Sequence, residues 1–331
     1  MVLSIHFTSE DLTRTSVAAC ADPLWEVLLS AYALRDHHRP LELRLWMQRL
    51  RTKQDRMARM RPGAHWLSVL APLGPYVPDF LTPDAAKDGL DAGLEVMLST
   101  PRSRLSTELQ RLAKFVQLPA WVRPIAKGNV AALTDLAEGL RAYHDAAIAP
   151  YADLIQASVD ADRARRAHSL LDNGLEGMFD GMRPHARWQP PVLEVDYPVD
   201  QQLPLAGRGL RLVPSFFCDQ IPISLADPDL PPVLIYPISR DCRWPQVAAI
   251  DGHRPLDALM GATRAATLRA LDVDIGVTTT QLARRLGTSP ASASRHASVL
   301  REAGLTTTHR NGRAVLHILT QLGVTLLEHD S

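Results

Sequence analysis

The stretch SPASASRHASVLREAGLTTTHRNGRAVLHIL, residues 289–319, combines a helix, a glycine stop and two β-rich runs. Ser289 is a typical N-cap residue, and Pro290 suits the first helical position because a missing N–H costs nothing there. Gly304 is typical of the position just after a helix end. The pattern therefore predicts a helix from about residue 290 to 303, followed by a β-hairpin.

A shorter helix is predicted immediately before this one, in TTTQLARRLG, residues 278–287. Its threonines offer N-cap hydroxyls, its leucines and alanine share one face, and Gly287 is a suitable stop. Two helices joined by a tight turn containing glycine form a helix-turn-helix, which presents the N-terminal half of its second helix to the major groove of DNA.

Helical spacing predicts which side chains of the second helix face outward. Ala293, Ala297 and Leu300 lie together and should pack inward. Arg295 lies on the opposite face and is the leading candidate to read a base edge, since a guanidinium can donate two hydrogen bonds to guanine. The predicted DNA-binding residues of the two helices are Thr279, Arg285, Ser289, Ala291, Ser292, Ser294, Arg295, His296 and Ser298.

Two of these assignments leave alternatives open. His296 lies at the edge of the predicted buried face, where a half-packed histidine is more common than a base reader. Arg285 and its neighbour Arg284 are equally compatible with a solvated helix face and with phosphate contacts.

The hairpin is predicted from Asn311-Gly312, a pair typical of two-residue type I′ turns because both positions need a positive φ. Arg310 and Arg313 flank this pair and form a predicted wing that reaches a phosphate backbone or a minor groove. Residues 277–319 hold six arginines and one glutamate, although the whole chain has 36 residues of each sign and zero net charge. Basic charge is thus concentrated in the predicted DNA-binding unit.

The segment TTTQLARRLGTSPASASRHASVLREAGLTTTHRNGRAVLHILT, residues 278–320, resembles the winged helix of arsenic-repressor-type (ArsR) bacterial transcription regulators. Its most specific parts are SRHASVLREAGL (294–305) and RNGRAVLHILT (310–320). The preceding chain is similar to the long N-terminal region of actinobacterial members through PYVPDFLTP, LVPSFF and PPVLIYP. The resemblance implies a homodimer on a palindromic double-stranded DNA operator, usually a repressor that a signal releases.

The chain departs from the pattern of the metal-sensing members of that family. Those members carry a cysteine pair near the first helix of the motif, or an Asp/His/Glu set on the closing helix. Neither is present here, since His317, Glu328 and His329 do not reproduce the second spacing and no cysteine lies within the winged helix. We therefore expect no metal site and no cofactor. Ala293 and Ala297 also replace larger aliphatic residues of the family, which affects how the second helix packs.

Length and composition predict the domain organisation. A chain of 331 residues with 46% hydrophobic residues is long enough for two domains. The predicted fold is α+β and mainly α, with a helical N-terminal region (1–183), a proline-rich β segment of the same domain (184–250) and a winged helix-turn-helix domain (251–331). The sequence contains neither an apolar leader nor a long apolar run, so we expect a cytoplasmic protein without a membrane partner.

The large N-terminal region is predicted to sense a small organic ligand or to fix the dimer. Its aromatic residues could enclose an apolar pocket, although each is individually more typical of a core. The residues concerned are Trp188, Phe216, Phe217, Tyr236 and Trp244. No nucleophile elbow, phosphate loop or zinc-protease motif is present, so we do not expect an enzyme. An enzyme or a protein-interaction domain fused to a DNA-binding module remains the alternative.

Overall fold

The structure is a computed structural model that describes residues 1–35, 40–219, 221–239, 255–271, 276–311 and 314–328. The chain divides into two compact units, Met1–Cys242 and Arg243–Ser331. Helices make up most of the described regular structure, and the strands form small sheets, so the fold is α+β and mainly α, as predicted. Among the described residues, no helix has the length and apolar character needed to cross a membrane.

The first unit contains nine α-helices among its described residues. They are α1 Ser9–Arg14, α2 Pro23–Arg35, α3 Leu41–Thr52, α4 Gln54–Leu70, α5 Leu90–Leu98, α6 Arg102–Leu112, α7 Arg123–Ala126, α8 Val130–Ala147 and α9 Ala152–Asp180. Gly174 interrupts α9 with a φ of 63°. Helices α4 and α8 can approach closely because Gly63 has no side chain, and a Cβ there would collide with the backbone of Gly139.

Two four-stranded sheets complete the first unit, in the orders β3-β4-β1-β5 and β2-β6-β8-β7. Their strands are β1 Val2–His6, β2 Ser16–Val17, β3 Ala186–Gln189, β4 Val192–Asp196, β5 Gln201–Pro204, β6 Arg211–Ser215, β7 Ile223–Ser224 and β8 Val233–Pro237. The strands of the proline-rich segment therefore share sheets with the N-terminus of the chain.

The region predicted as helical over residues 1–183 also contains two strands, β1 and β2, at its start. Strand β1 pairs antiparallel with β4 and parallel with β5, while β2 pairs parallel with β6. Leu3 and Ile5 are fully buried and alternate with less buried residues, which is the period-two pattern of a strand. This pattern is too short to be recognised without its partner strands.

The second unit contains five helices and three strands among its described residues. They are α10 Pro255–Met260, α11 Ala262–Ala270, β9 Val277–Thr278, α12 Thr279–Arg285, α13 Pro290–Glu302, β10 Thr306–Asn311, β11 Ala314–Leu319 and α14 Gln321–Glu328. The strands form one antiparallel sheet in the order β10-β11-β9.

The ends of α12 and α13 follow the signals read from the sequence. Thr278 caps α12 in a reciprocal arrangement with Gln281, in which each side chain accepts from the other residue's backbone N–H. The Ser289 hydroxyl accepts the backbone N–H of Ser292 at 3.2 Å and begins α13. Gly287 and Gly304 follow the two helices with φ values of 60° and 74°, which glycine adopts without strain.

Candidate nucleic-acid interface

Helix α13 buries the face that the sequence predicted. Ala293, Ala297 and Leu300 are each at most 2% exposed. The two alanines pack in a cluster with Leu282 and Ala283 of α12, and Leu300 packs in a second cluster with residues of α10, α11 and α14. The small size of the alanines lets α12 and α13 lie close together, and the orientation of α13 in its unit follows from these contacts.

The outward residues of α13 differ in their accessibility. Ala291, Ser294 and Arg295 are exposed, whereas Ser292, His296 and Ser298 are half-buried. Helical spacing places Ser298 on the same side as Arg295, so its side chain is less accessible than the spacing implies. Arg295 forms no hydrogen bond or ion pair within the described part of the chain, so its guanidinium is available to an external anion or base edge.

Two predicted contacts on α12 already have partners within the protein. The Thr279 hydroxyl lies 3.0 Å from Nε2 of His317. The Arg285 guanidinium donates to the carbonyl oxygen of Ala270, the last residue of α11, at 2.7 Å. Both side chains therefore help to fix α12 against neighbouring elements. The exposed Ser289 hydroxyl likewise serves as the N-cap of α13.

His317 is a buried residue of β11, and its position in the sequence indicated no structural role. It is 5% exposed, and its Nδ1 has no hydrogen-bond partner among the described residues. Burial lowers the pKa of the imidazole because it disfavours the charged form, and the positive charge of Arg301 lowers the pKa further. Within the described ranges, no group of three or more histidine, cysteine or acidic side chains could hold a metal ion.

The register of the hairpin differs from the prediction. Asn311 pairs with Ala314, so Asn311 belongs to strand β10 and the predicted two-residue Asn311-Gly312 turn is wrong. The other end of the hairpin sets this register, since the N–H and hydroxyl of Thr320 donate to the carbonyl oxygens of Leu305 and Gly304. The backbone of Arg310 lies in β10, whereas Arg313 and Gly312 lie outside the described residues.

The four predicted ligand-binding aromatics that the structure describes do not line one common pocket. Trp188 packs on the rings of Phe7 and Phe179 in the core of the first unit. The Tyr236 hydroxyl belongs to a buried network and lies 2.6 Å from the Asp162 carboxylate. Phe216 is also buried and packs against Phe217. Trp244 lies outside the described residues.

Phe217 does line a cavity of about 370 Å³ in the first unit. Residues of α2, of the loop that follows α4 and of the segment between β6 and β7 form its wall. Sequence reasoning missed most of this wall, including Trp25, Tyr32, Tyr76 and Tyr197. The signal available was the proline-rich stretch 71–83, whose aromatic residues Tyr76 and Phe80 are both buried.

Comparisons with known proteins assign no function. The chain matches no family model, no curated protein and no solved structure. Function is therefore inferred from the geometry and charge of the residues themselves, together with the sequence resemblance of the second unit.

Proposed function

We propose that this protein is a DNA-binding transcription regulator, a homodimer that represses transcription from a palindromic operator. Its second unit would act as a winged helix-turn-helix, with α12 and α13 as the two helices and the β10-β11 hairpin as the wing. In this arrangement, the N-terminal half of α13 enters the major groove and the hairpin lies over the adjacent backbone.

The observation that carries the proposal is the contrast between the two faces of α13. The face with Ala293 and Ala297 is buried against α12. Arg295 projects from the opposite face and has no partner in the described chain. A long cation at the N-terminal half of such a helix is suited to bidentate recognition of guanine. The small residues beside it, Ala291 and Ser294, leave room for close approach to a base edge.

Charge supports the same interpretation. Residues 277–319 contain six arginines and a single acidic residue, Glu302, in a chain with no net charge. A local excess of positive charge provides the sequence-independent part of the affinity for a phosphate backbone. The dimer and the repressor role depend on the sequence resemblance, because proteins of this type bind two symmetric half-sites.

The first unit is proposed to bind a small organic molecule that controls release from the operator. The support is the presence of a mostly apolar cavity, open on one side, of a size typical of small-molecule sites. An enzyme fused to the DNA-binding unit is the alternative. It would be favoured if a molecule bound in this cavity were chemically converted.

Selection of bound fragments from the organism's own genomic DNA tests the proposal. The full chain should retain a small set of fragments that share a palindromic sequence, and light scattering of the complex should give two chains per site. Retention of fragments without a common sequence would contradict the proposed regulator. A single chain per site would contradict the dimer.

A further inference from the structure

We propose that the cavity of the first unit is a binding site for an uncharged, largely apolar organic molecule that carries a hydrogen-bond acceptor such as a carbonyl oxygen. This inference rests on the proposed function only for its regulatory consequence, since binding can be measured on the protein without DNA. The contacts of the cavity wall support each part of the description.

Apolar side chains form most of the wall. Trp25 and Leu29 of α2 are at most 5% exposed, and Phe217 packs edge-on against Trp46 with ring centroids 4.8 Å apart. The Phe217 ring is therefore held in place by a neighbour outside the cavity. The volume of about 370 Å³ is more than twice that of an engineered cavity of about 150 Å³ that holds benzene. A ligand of roughly two fused rings with a short substituent fits this space.

Two hydroxyl groups supply the polar contact. Tyr76 and Thr82 are each 4% exposed and line the cavity, yet neither hydroxyl has a hydrogen-bond partner among the described residues. Both hydroxyls can therefore donate to a ligand oxygen in the cavity without breaking a hydrogen bond within the protein. The other two lining tyrosines already donate within the protein, Tyr32 to the carbonyl of Pro72 and Tyr197 to that of Ser224.

The surroundings of Tyr76 favour its role as a donor. The guanidinium carbon of Arg111 lies 4.5 Å from the centre of the Tyr76 ring. A cation over the ring withdraws electron density and makes the phenol a better hydrogen-bond donor. Burial raises the pKa of Tyr76, so the phenol keeps its proton at neutral pH.

Charge at the wall disfavours an anionic ligand. Of the described residues that line the cavity, none is a lysine, arginine or histidine, whereas Asp79 and Asp219 are acidic. Burial raises the pKa of Asp79 to about 6, so this carboxylate is still mainly ionised at pH 7. Its two oxygens accept the backbone N–H groups of Ala226 and Asp227 at 3.0 and 2.9 Å, which holds the adjoining loop in place.

The remaining charges near the wall make a cation an unsuitable ligand as well. Arg35 lies 5.1 Å from the centre of the Tyr32 ring, on the α2 side of the cavity, and Arg111 covers Tyr76. Both guanidinium groups place positive charge behind tyrosines of the wall, which disfavours a cationic ligand. A neutral molecule avoids the desolvation cost that either sign of charge would incur in this apolar space.

Three fluorescent probes separate these requirements in the full-length protein. N-phenylnaphthylamine is neutral, anilinonaphthalene sulfonate is the same ring system with a negative charge, and prodan is a neutral naphthalene ketone. We expect saturable one-to-one binding of both neutral probes, and affinity for the sulfonate lower by about tenfold or more. Equal affinity for the charged and neutral forms, or no saturable binding of either neutral probe, would overturn the inference.

Isosteric variants test the hydroxyl contact. Tyr76→Phe and Thr82→Val should each weaken prodan binding by about 3- to 10-fold while leaving N-phenylnaphthylamine, which has no carbonyl, within about twofold. Tyr143→Phe is the matched control, because Tyr143 is fully buried, bonds to Ser30 and does not line the cavity. Unchanged prodan affinity in both hydroxyl variants would contradict the proposed contact.

Two further measurements test where the probes bind and whether the protein also binds operator DNA. Ala33→Phe should fill the cavity and exclude both neutral probes, and thermal unfolding of this variant verifies that it folds. Undiminished binding by a folded Ala33→Phe protein would place the probes elsewhere. Operator binding is measured on the same preparations. If the protein binds the probes but does not bind DNA, the proposed regulator is contradicted and the cavity site still stands.

Discussion

The hydroxyl of Thr279 lies 3.0 Å from Nε2 of His317 and so connects the first turn of α12 to the central strand of the β10-β11-β9 sheet. His317 is 5% exposed, and its other ring nitrogen has no partner among the described residues. A protonated imidazole would need acceptors at both nitrogens. Protonation would place an N–H without an acceptor at the buried Nδ1, so the fold favours the neutral histidine.

The first prediction concerns pH. The folded protein lowers the pKa of His317 below the ordinary value of 6.5, so the unfolded chain takes up this proton first as the solution is acidified. The contribution of His317 to stability should be constant above about pH 6.5 and should decline as the pH falls below that value, until the folded-state pKa is reached. Nuclear magnetic resonance titration of the His317 ring measures the folded-state pKa directly.

Denaturant unfolding of the full-length protein at about pH 7 and about pH 5 should show that the second unit is less stable at the lower pH. In His317→Gln, which keeps a polar group but does not titrate, this part of the pH dependence should disappear. A folded-state pKa above 6.5 would reverse the sign and contradict the prediction.

The second prediction concerns Glu26, whose carboxylate lies 2.8 and 3.0 Å from the backbone nitrogens of Phe216 and Phe217. Glu26 is 1% exposed and also accepts the Ser215 hydroxyl at 3.1 Å. Glu26→Ala should lower the free energy of unfolding by about 3 kcal/mol or more, because three buried donors lose their acceptor. Five of the six tryptophans lie in residues 1–242, so tryptophan fluorescence during urea unfolding reports mainly on this unit.

Glu10→Ala is the matched control for Glu26→Ala. Glu10 is exposed and pairs with Arg14 on the surface, so its loss should cost less than about 1 kcal/mol. Similar losses for the two variants would show that the buried carboxylate does not hold the turn after β6.

Local signals in the sequence predicted the bounds and the buried face of α13. The N-cap of α13 at Ser289 and the inward face with Ala293 and Ala297 both depend on residues within a few positions of one another. Hydrogen bonds and packing at that range follow from helical geometry alone. For the same reason, the accessible position of Arg295 could be predicted from its spacing.

Features that depend on distant partners could not be predicted. Strand β1 is held by β4 and β5, nearly two hundred residues away in the sequence. The Asn311-Gly312 signal favoured one hairpin register, but Thr320 fixes another from the opposite end. The cavity is likewise built from segments separated in the chain, such as Tyr76 and Phe217, and no local pattern joins them.

The third prediction concerns Arg295. Arg295→Ala should remove specific operator binding and leave the fold unchanged, because the side chain is exposed and contacts no described partner. The expected loss is about 1–3 kcal/mol per half-site. Arg301→Ala is the control, since it removes the same charge from the C-terminal end of the same helix. Unchanged affinity and unchanged preference over random DNA in Arg295→Ala would show that this face of α13 does not read bases.

The fourth prediction is that operator binding is indifferent to zinc and to chelators. The second unit has no cysteine within residues 251–331, and His317 is engaged with Thr279. Titration of the protein–operator complex with zinc and with a chelator should leave affinity unchanged. Release of DNA by less than one equivalent of a divalent or thiophilic ion would contradict this and would point to His317, Glu328 and His329 as ligands.

The fifth prediction concerns the wing. Arg310 lies in strand β10 near the end of the hairpin, and Arg313 follows in the sequence just beyond the described part of β10. Side chains at a hairpin end should contact phosphates and so carry charge rather than sequence information. Replacing both arginines with alanine should therefore weaken binding to operator and to random duplex together.

Salt dependence measures this effect, because each phosphate contact contributes about 0.9 to the slope of log affinity against log salt concentration. A dimer has two wings, so the double variant should lower the slope by about 3 to 4. The control is the double variant Arg163→Ala, Arg183→Ala, which removes two arginines of the first unit whose side chains are 41% and 62% exposed. An unchanged slope in the wing variant would place the hairpin away from DNA, whereas a loss confined to the operator would show that the wing reads bases.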